Sequence, residues 1–242
     1  MKALLLPVAA SVFLTACGGG GSSSESTSTN TAISGAVGYW YGTSSIYDNT
    51  YESVAFVNES GFTFINAEGS IVYGDLNWNG NTGTGILYEI DGDDKYTYDS
   101  TVSFNNGALS ASLKYGSDTF TFAGTGDTEN NNQFKKSRDL SDLNGTWYQY
   151  DDGASDTFTM TNGVASLRSL ELGCLVTVVL KDEDYRYSAF SMTATASECT
   201  DDSLNGSYSA GLAASGAEDD VETLTLFAYR DDAWIGGDFY RQ

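Results

Sequence analysis

Histidine is absent from this chain of 242 residues, and that absence limits its chemistry more than any motif does. Ser-His and Cys-His nucleophile pairs are removed, and so are histidine-ligated zinc and haem. Acid–base chemistry would have to come from carboxylates, lysine or tyrosine. Carboxylates are concentrated in the acidic turns Asp91-Gly92-Asp93-Asp94, Asp151-Asp152 with Asp156, and Glu218-Asp219-Asp220. Hard cations want several carboxylates on a tight turn, but the first of these lacks the later Gly and Glu of an EF-hand loop. Solvated hairpin tips explain all of them equally well. Neighbouring acids such as Asp93 and Asp94 do not by themselves face each other across a cleft at about 5 or 6.5–9.5 Å, the separations glycoside hydrolysis needs. Trp78, within Asn77-Trp78-Asn79-Gly80, is an aromatic at a polar turn. Its ring could contact a ligand by stacking on a sugar, or fold back over its own strand end. No catalytic, cofactor-binding or metal residue is assigned.

Charge narrows the partners. Lys and Arg number 11 against 33 Asp and Glu, a formal net charge of −22. Such a surface repels phosphate backbones and anionic head groups, which disfavours nucleic acid as a partner and protein-surface contact with a bilayer. Aromatic residues make up 13% of the chain, enough to build a core and too many for a disordered polymer.

The elements that must position any site read as strands. From Gly38-Tyr39-Trp40-Tyr41 onward, short runs of Val, Ile, Thr, Phe and Tyr alternate with Gly, Asn and Asp, the pattern of antiparallel strands joined by hairpins. Candidate strands are 37–42, 53–57, 62–66, 71–76, 84–90, 96–104, 108–114 and 119–123. The clearest alternation sets Tyr96, Tyr98, Val102 and Phe104 against Lys95, Thr97, Asp99 and Thr101, so that one face is buried and one is wet. Turns such as Asn58-Glu59-Ser60-Gly61 and Asn105-Asn106-Gly107 supply residues that reach positive φ cheaply. No segment has helical period.

Around residues 126–143 the alternation stops, and the stretch reads as a connector whose Lys135, Lys136 and Arg138 pair with nearby acids. The pattern then restarts. Gly38-Tyr39-Trp40-Tyr41 returns as Gly145-Thr146-Trp147-Tyr148, and Phe62–Asn66 as Phe158–Asn162. Asp94–Tyr98 returns as Glu183–Tyr187, Asn106-Gly107 as Asn205-Gly206, and Thr119–Phe122 as Thr223–Leu226. Matches in one order argue for two copies of a domain, the second adding a final strand, 233–240. Trp40 and Trp147 are expected as core plugs. The fold expected is all-β: two tandem small antiparallel β-barrel domains of up to about eight strands each, or sandwiches of similar size.

The N-terminus carries a different signal. Lys2 supplies a positive charge, residues 3–13 an apolar run containing Pro7, and Leu14-Thr15-Ala16 a set of residues before Cys17. The run is too short to span a bilayer, which takes about 20 residues of helix, and it reads as an export signal with a cleavage site. The cysteine at the cut resembles the lipobox of bacterial lipoproteins. The resemblance implies cleavage before Cys17, lipidation of Cys17 and anchoring through its acyl chains. Gly18 rather than Asp after the cysteine implies the outer membrane in a Gram-negative cell. Residues 18–35, rich in Gly, Ser and Thr, read as a flexible tether reaching roughly 20–25 Å. With Cys17 taken by lipid, Cys174 and Cys199 remain as an even pair in an exported chain, expected as one structural disulfide.

The Gly-x-Trp-Tyr repeats, the Cys174–Cys199 pair, Leu204-Asn205-Gly206-x-Tyr208 and the terminal Tyr240-Arg241 together resemble a group of uncharacterised proteobacterial lipoproteins with a Gly/Ser tether and tandem lipocalin-like β-domains. The resemblance implies a fold and a location, and no activity. The organisation read from the chain is a signal peptide at 1–16 and a lipidated cysteine with tether at 17–35. A first β-domain follows at 36–126, a connector at 127–143 and a second β-domain at 144–242. The function expected is a non-enzymatic binding or envelope-interaction module without cofactor. A surface-displayed structural or adhesive protein and a carboxylate-dependent hydrolase are the alternatives. Replacing Cys17 by Ser is predicted to abolish incorporation of labelled palmitate and to leave an unprocessed precursor, read by intact mass.

Overall fold

The structure is a computed structural model and describes residues 35–46, 49–67, 70–91, 94–151, 154–169, 172–182 and 187–242. Cys17, the signal segment and the tether to residue 34 lie outside the described residues, as do Gly92, Asp93, Asp152 and 183–186.

The first sheet comprises β1 (Gly38–Ile46), β2 (Asn49–Val57), β3 (Phe62–Ala67), β4 (Ser70–Asp75), β5 (Asn77–Asn79) and β6 (Thr82–Asp91), followed by β7 (Asp94–Asn105), β8 (Ala108–Tyr115) and β9 (Asp118–Gly126). Apart from β4 and β5, each strand pairs antiparallel with its neighbour in sequence. β5 continues β4 along β6 in one register, with Val72 opposite Glu89 and Trp78 opposite Gly83. The ring closes where β9 meets β1, from Trp40 opposite Gly126 to Ser45 opposite Thr121. At that seam a Cβ on Gly42 would sit 2.0 Å from the Ala123 carbonyl oxygen, so only glycine lets the two backbones approach. This is an up-and-down barrel of eight strands, and closure removes the exposed edges an open sheet would carry.

The second barrel uses β10 (Gly145–Asp151), β11 (Ala154–Met160), β12 (Val164–Ser169), β13 (Cys174–Lys181) and β14 (Ala189–Ser197), then β15 (Gly206–Tyr208), β16 (Ala210–Glu218), β17 (Val221–Tyr229) and β18 (Trp234–Arg241). β15 and β16 form one strand beside β14, broken by a bulge at Ser209 where the register slips by one residue. The β10–β18 seam is short, with pairs only at Trp147–Arg241 and Tyr148–Tyr240.

Strand order corrects most of the repeat alignment. Only the Gly-x-Trp match joins equivalent strands, β1 and β10. Phe62–Asn66 lies on the third strand of its barrel, whereas Phe158–Met160 ends the second. Thr119–Phe122 lies on the eighth strand and Thr223–Leu226 on the seventh, so residues 234–241 are no addition but the eighth strand itself. Thr alternating with aromatic or aliphatic residues recurs in β3, β7, β9, β11 and β17, and such a pattern slides by one hairpin without loss of similarity. The Glu183–Tyr187 counterpart falls mostly outside the described residues.

The connector corrects the expectation of no helix. It holds a short helix, α1 (Thr128–Phe134), capped by the Asp127 side chain accepting from Asn130 N–H. Seven residues cannot hold a helix alone. Tertiary contacts do so on both sides. Asn131 accepts from Tyr39 N–H (2.9 Å) and donates to the Tyr39 carbonyl (2.8 Å), completing the ladder of barrel 1. Asn130 accepts from Ala217 N–H in barrel 2 at 3.0 Å. Phe134 is fully buried between the barrels. Arg138 pairs with Glu222, which also takes Arg241 at 2.7 Å, while Lys136 donates to the Gln133 side chain at 2.6 Å.

Outer faces that an isolated barrel would wet are here apolar and mutually buried. Tyr39, Phe56, Phe62, Phe64 and Tyr73 of barrel 1 meet Leu212, Ala214, Phe227 and Tyr229 of barrel 2. Phe227 lies at the centre, its ring 5.5 Å from Phe64 and 5.0 Å from Tyr73. Burial of this many aromatic faces, each contributing area and ring–ring attraction, makes the two barrels one body. Phe227→Ala is predicted to cost about 3–5 kcal/mol. It should also split a single denaturant transition, followed by tryptophan fluorescence, into two.

Candidate functional site

A small barrel is defined functionally by its two ends, and one local motif closes three of the four. At the lower end of barrel 1, where the chain enters at Gly38, Trp40 lies inside and its Nε1–H donates to the Ala36 carbonyl at 2.9 Å. At the matching end of barrel 2, Trp147 Nε1–H donates to the Leu143 carbonyl of a 3-10 turn, Leu140–Leu143, at 3.0 Å. At the opposite end of barrel 2, Tyr208 O–H donates to the Leu204 carbonyl of a second 3-10 turn, Asp202–Leu204, at 2.8 Å. The sequence behind the two plugs of barrel 2 is the same: Leu143-Asn144-Gly145-x-Trp147 and Leu204-Asn205-Gly206-x-Tyr208. In each, Gly holds a φ of +137° to +144°, open to glycine and strained for other residues.

An arginine seals each plug of barrel 2. Arg241 lies 4.7 Å over the Trp147 ring and donates to the carbonyls of Asn144 (2.9 Å) and Asp142. Arg230 lies 4.8 Å over Tyr208 and donates to the carbonyls of Asn205 (2.9 Å) and Ser203. A planar guanidinium does this where a lysine cannot, because it stacks and forks its donors at once. Thus Asn205-Gly206 is a capping element and not the counterpart of Asn106-Gly107, a tight hairpin with φ of 50° and 79°. The Cys174–Cys199 disulfide closes this end, as expected from the cysteine count. A small apolar cavity of about 180 Å³, walled by Leu167, Val176, Leu226 and Phe239, remains beside the short β10–β18 seam.

At the fourth end no such plug is present among the described residues. Above Val72 and Phe120, the mouth of barrel 1 encloses about 610 Å³, walled by Tyr96, Tyr98, Tyr115 and Glu89. The alternation of β7 turns Tyr96 and Tyr98 to the inner face, where the lumen widens instead of closing on them. Glu89 is set by two donors, Ser70 O–H and Tyr98 O–H, one to each carboxylate oxygen. Asp91 and Asp118 stand on the rim, and no described lining residue is basic. Lys95, next in sequence to Tyr96, is drawn outward over the Tyr88 ring at 4.5 Å and toward Asp231 of barrel 2 at 3.9 Å. The carboxylate of Asp94, some desolvation and the charges of Asp91 and Glu89 push the Tyr96 hydroxyl above its ordinary pKa.

A second concavity, about 370 Å³, runs between the barrels over Phe56, Phe64, Leu212 and Phe227. Its floor is the packing that joins the domains, so it has a structural reason to be apolar. On its wall Thr225 O–H donates to Asp238 at 2.6 Å. Asp238 keeps an exposed edge, yet the protein packed around its carboxyl raises the pKa, against which the Thr225 hydrogen bond acts, while Glu218 adds to the rise.

Trp78 follows the folded-back alternative of the sequence reading and not the ligand contact. It is 7% exposed and packs inside barrel 1 against Gly83, so it offers no free stacking face. β4 and β5 share one register, which turns Trp78 inward with Val72 and Leu76. Glu218-Asp219-Asp220 is a hairpin tip, Asp220 N–H donating to Glu129 of α1 at 2.6 Å. Among the described residues no group of three or more Cys, Asp or Glu is placed to hold a metal ion, and no helix is long and apolar enough to cross a membrane. The residues that build the open mouth on strands other than β7, namely Ser70, Glu89, Tyr115 and Asp118, carried no signal that sequence reasoning used.

Because the folded state holds the Asp238 proton more tightly than the unfolded chain does, stability falls as pH rises from the ordinary value of 3.8 through the raised one. Asp238→Asn, which keeps the acceptor for Thr225, is predicted to be more stable than the parent at pH 7. The two should converge at about pH 2.5 and below, where the aspartate is protonated in both states, and denaturant midpoints across pH measure this. Compared with known proteins, the chain matches no family model, no curated protein and no solved structure, so its own geometry carries the functional argument.

Proposed function

We propose that this protein is an outer-membrane lipoprotein, anchored by acyl chains on Cys17, and that it acts as a non-enzymatic binding module. Its small ligand enters the mouth of barrel 1. The observation that carries the binding half is the asymmetry of the two domains: barrel 2 is plugged at both ends, whereas barrel 1 is plugged at one end and keeps about 610 Å³ at the other. Concave sites of this size with a few convergent polar groups are where small ligands bind. The lipobox-like Leu14–Cys17 and the Gly/Ser tether support the anchoring half.

The test is native mass spectrometry of the full mature chain purified from its own envelope in a non-ionic detergent. A stoichiometric small-molecule adduct is expected on the parent protein and is expected to be lost from Ser70→Trp, whose ring would fill the mouth. An adduct that persists in the filled variant would place the ligand elsewhere. A parent without adduct, and without binding to any added small molecule, would favour a structural or adhesive role.

A further inference from the structure

We propose that the ligand of the barrel 1 mouth is an organic cation, one carrying an ammonium group on a small organic skeleton. This rests on the binding role argued above and specifies its chemistry. The walls supply what such a group requires. Tyr96, Tyr98 and Tyr115 bring π faces to one cup, with Tyr96 and Tyr115 edge to face at 5.6 Å and Tyr98 and Tyr115 at 5.9 Å. Aromatic rings set at angles around a cavity attract ammonium groups through their negative faces. Tyr115 is 48% exposed, an apolar face left uncovered at the lip.

The polar groups agree in sign. Glu89 has one hydrogen bond to each oxygen, from Ser70 and from Tyr98, which fixes the carboxylate and leaves each oxygen further acceptor capacity. Asp91 and Asp118 add negative charge at the rim. The two bases next in sequence to wall tyrosines lie outside: Lys95 over Tyr88 and toward Asp231, and Lys114 on the exposed outer side of β8. An anionic ligand would meet three carboxylates and no counter-charge among the described lining residues, while a neutral one would leave them unused. A low-dielectric cup lined by one sign of charge also concentrates the opposite sign.

One buried polar group lies beneath the cup. Ser44 lies opposite Phe122 and Tyr51 on the inner wall, one inward step below Phe120 of the cavity floor. It is fully buried, and its hydroxyl has no partner among the described residues. A buried hydroxyl left unmatched is unfavourable, and this one lies level with Phe122, beneath the residues that line the cup.

The experiment titrates the full mature chain with choline and with its neutral isostere 3,3-dimethylbutan-1-ol, and with benzyltrimethylammonium and neutral neopentylbenzene. Calorimetry and tyrosine fluorescence read binding. Each cation is expected to bind at least tenfold more tightly than its isostere, and to weaken severalfold between 20 and 300 mM salt, as an exposed charge pair should. Glu89→Gln is expected to lose about tenfold in cation affinity with little change for the isosteres. Tyr115→Leu, at an exposed position that folding tolerates, is expected to lose severalfold. Equal binding of cation and isostere, or cation affinity unchanged in Glu89→Gln, would overturn the cationic class while leaving the mouth as a binding site. If no probe of either charge enters the mouth, the binding role falls with it.

Discussion

The lumen of an eight-stranded barrel is a fixed volume that side chains must fill or leave as space. That constraint organises this protein. In barrel 1 the lower lumen is filled by Trp40, Trp78, Leu87, Val102 and Phe122, all buried. Above them the inward positions become Ser70, Glu89, Tyr96 and Tyr98, and the centre is left open. In barrel 2 the inward positions stay apolar for most of their length, and each end receives an aromatic plug held by a guanidinium. One architecture therefore yields a cup and a near-solid block, and the difference lies in a few side chains rather than in the strands.

The block is not idle. Its outer face covers aromatic residues of barrel 1 that would otherwise face water, and α1 fits into the seam with one asparagine committed to each barrel. The wall of the cup facing barrel 2 is thereby backed by packed rings, which holds the strands bearing Tyr73 and Tyr88 in place. Lys95 reaches over Tyr88 toward Asp231 and so carries its charge outside the lumen.

Much of the fold was legible in the sequence because strand alternation and Asn/Gly turns are local signals. Asn58 illustrates this, accepting from Ser60 N–H at 3.0 Å and Phe62 N–H at 2.9 Å within its own turn. The Gly-x-Trp repeat was legible because the glycine φ and the indole hydrogen bond are both set within a few residues. The site was less so. Tyr96 and Tyr98 could be placed on one face, but whether that face meets other side chains or empty space depends on strands as distant in sequence as those of Ser70 and Phe120. Trp78 looked exposed because its neighbours are polar amides, yet Asn77 and Asn79 occupy the outward positions and the indole the inward one. The apolar contact between barrels was hidden for a related reason. Phe62, Phe64 and Phe227 alternate as any core residues would, and nothing local marks the faces that meet another domain.

The direction in which the chain enters barrel 1 has a geometric consequence. Residues 35–38 join at the plugged end, beside Ala36 and Trp40, and β1 climbs from there toward the rim. A tether joined at residue 35 would therefore leave from the base of the cup and not from its rim. The linkage proposed to carry the protein would not cross the opening, and whatever enters need not pass the chain that holds it.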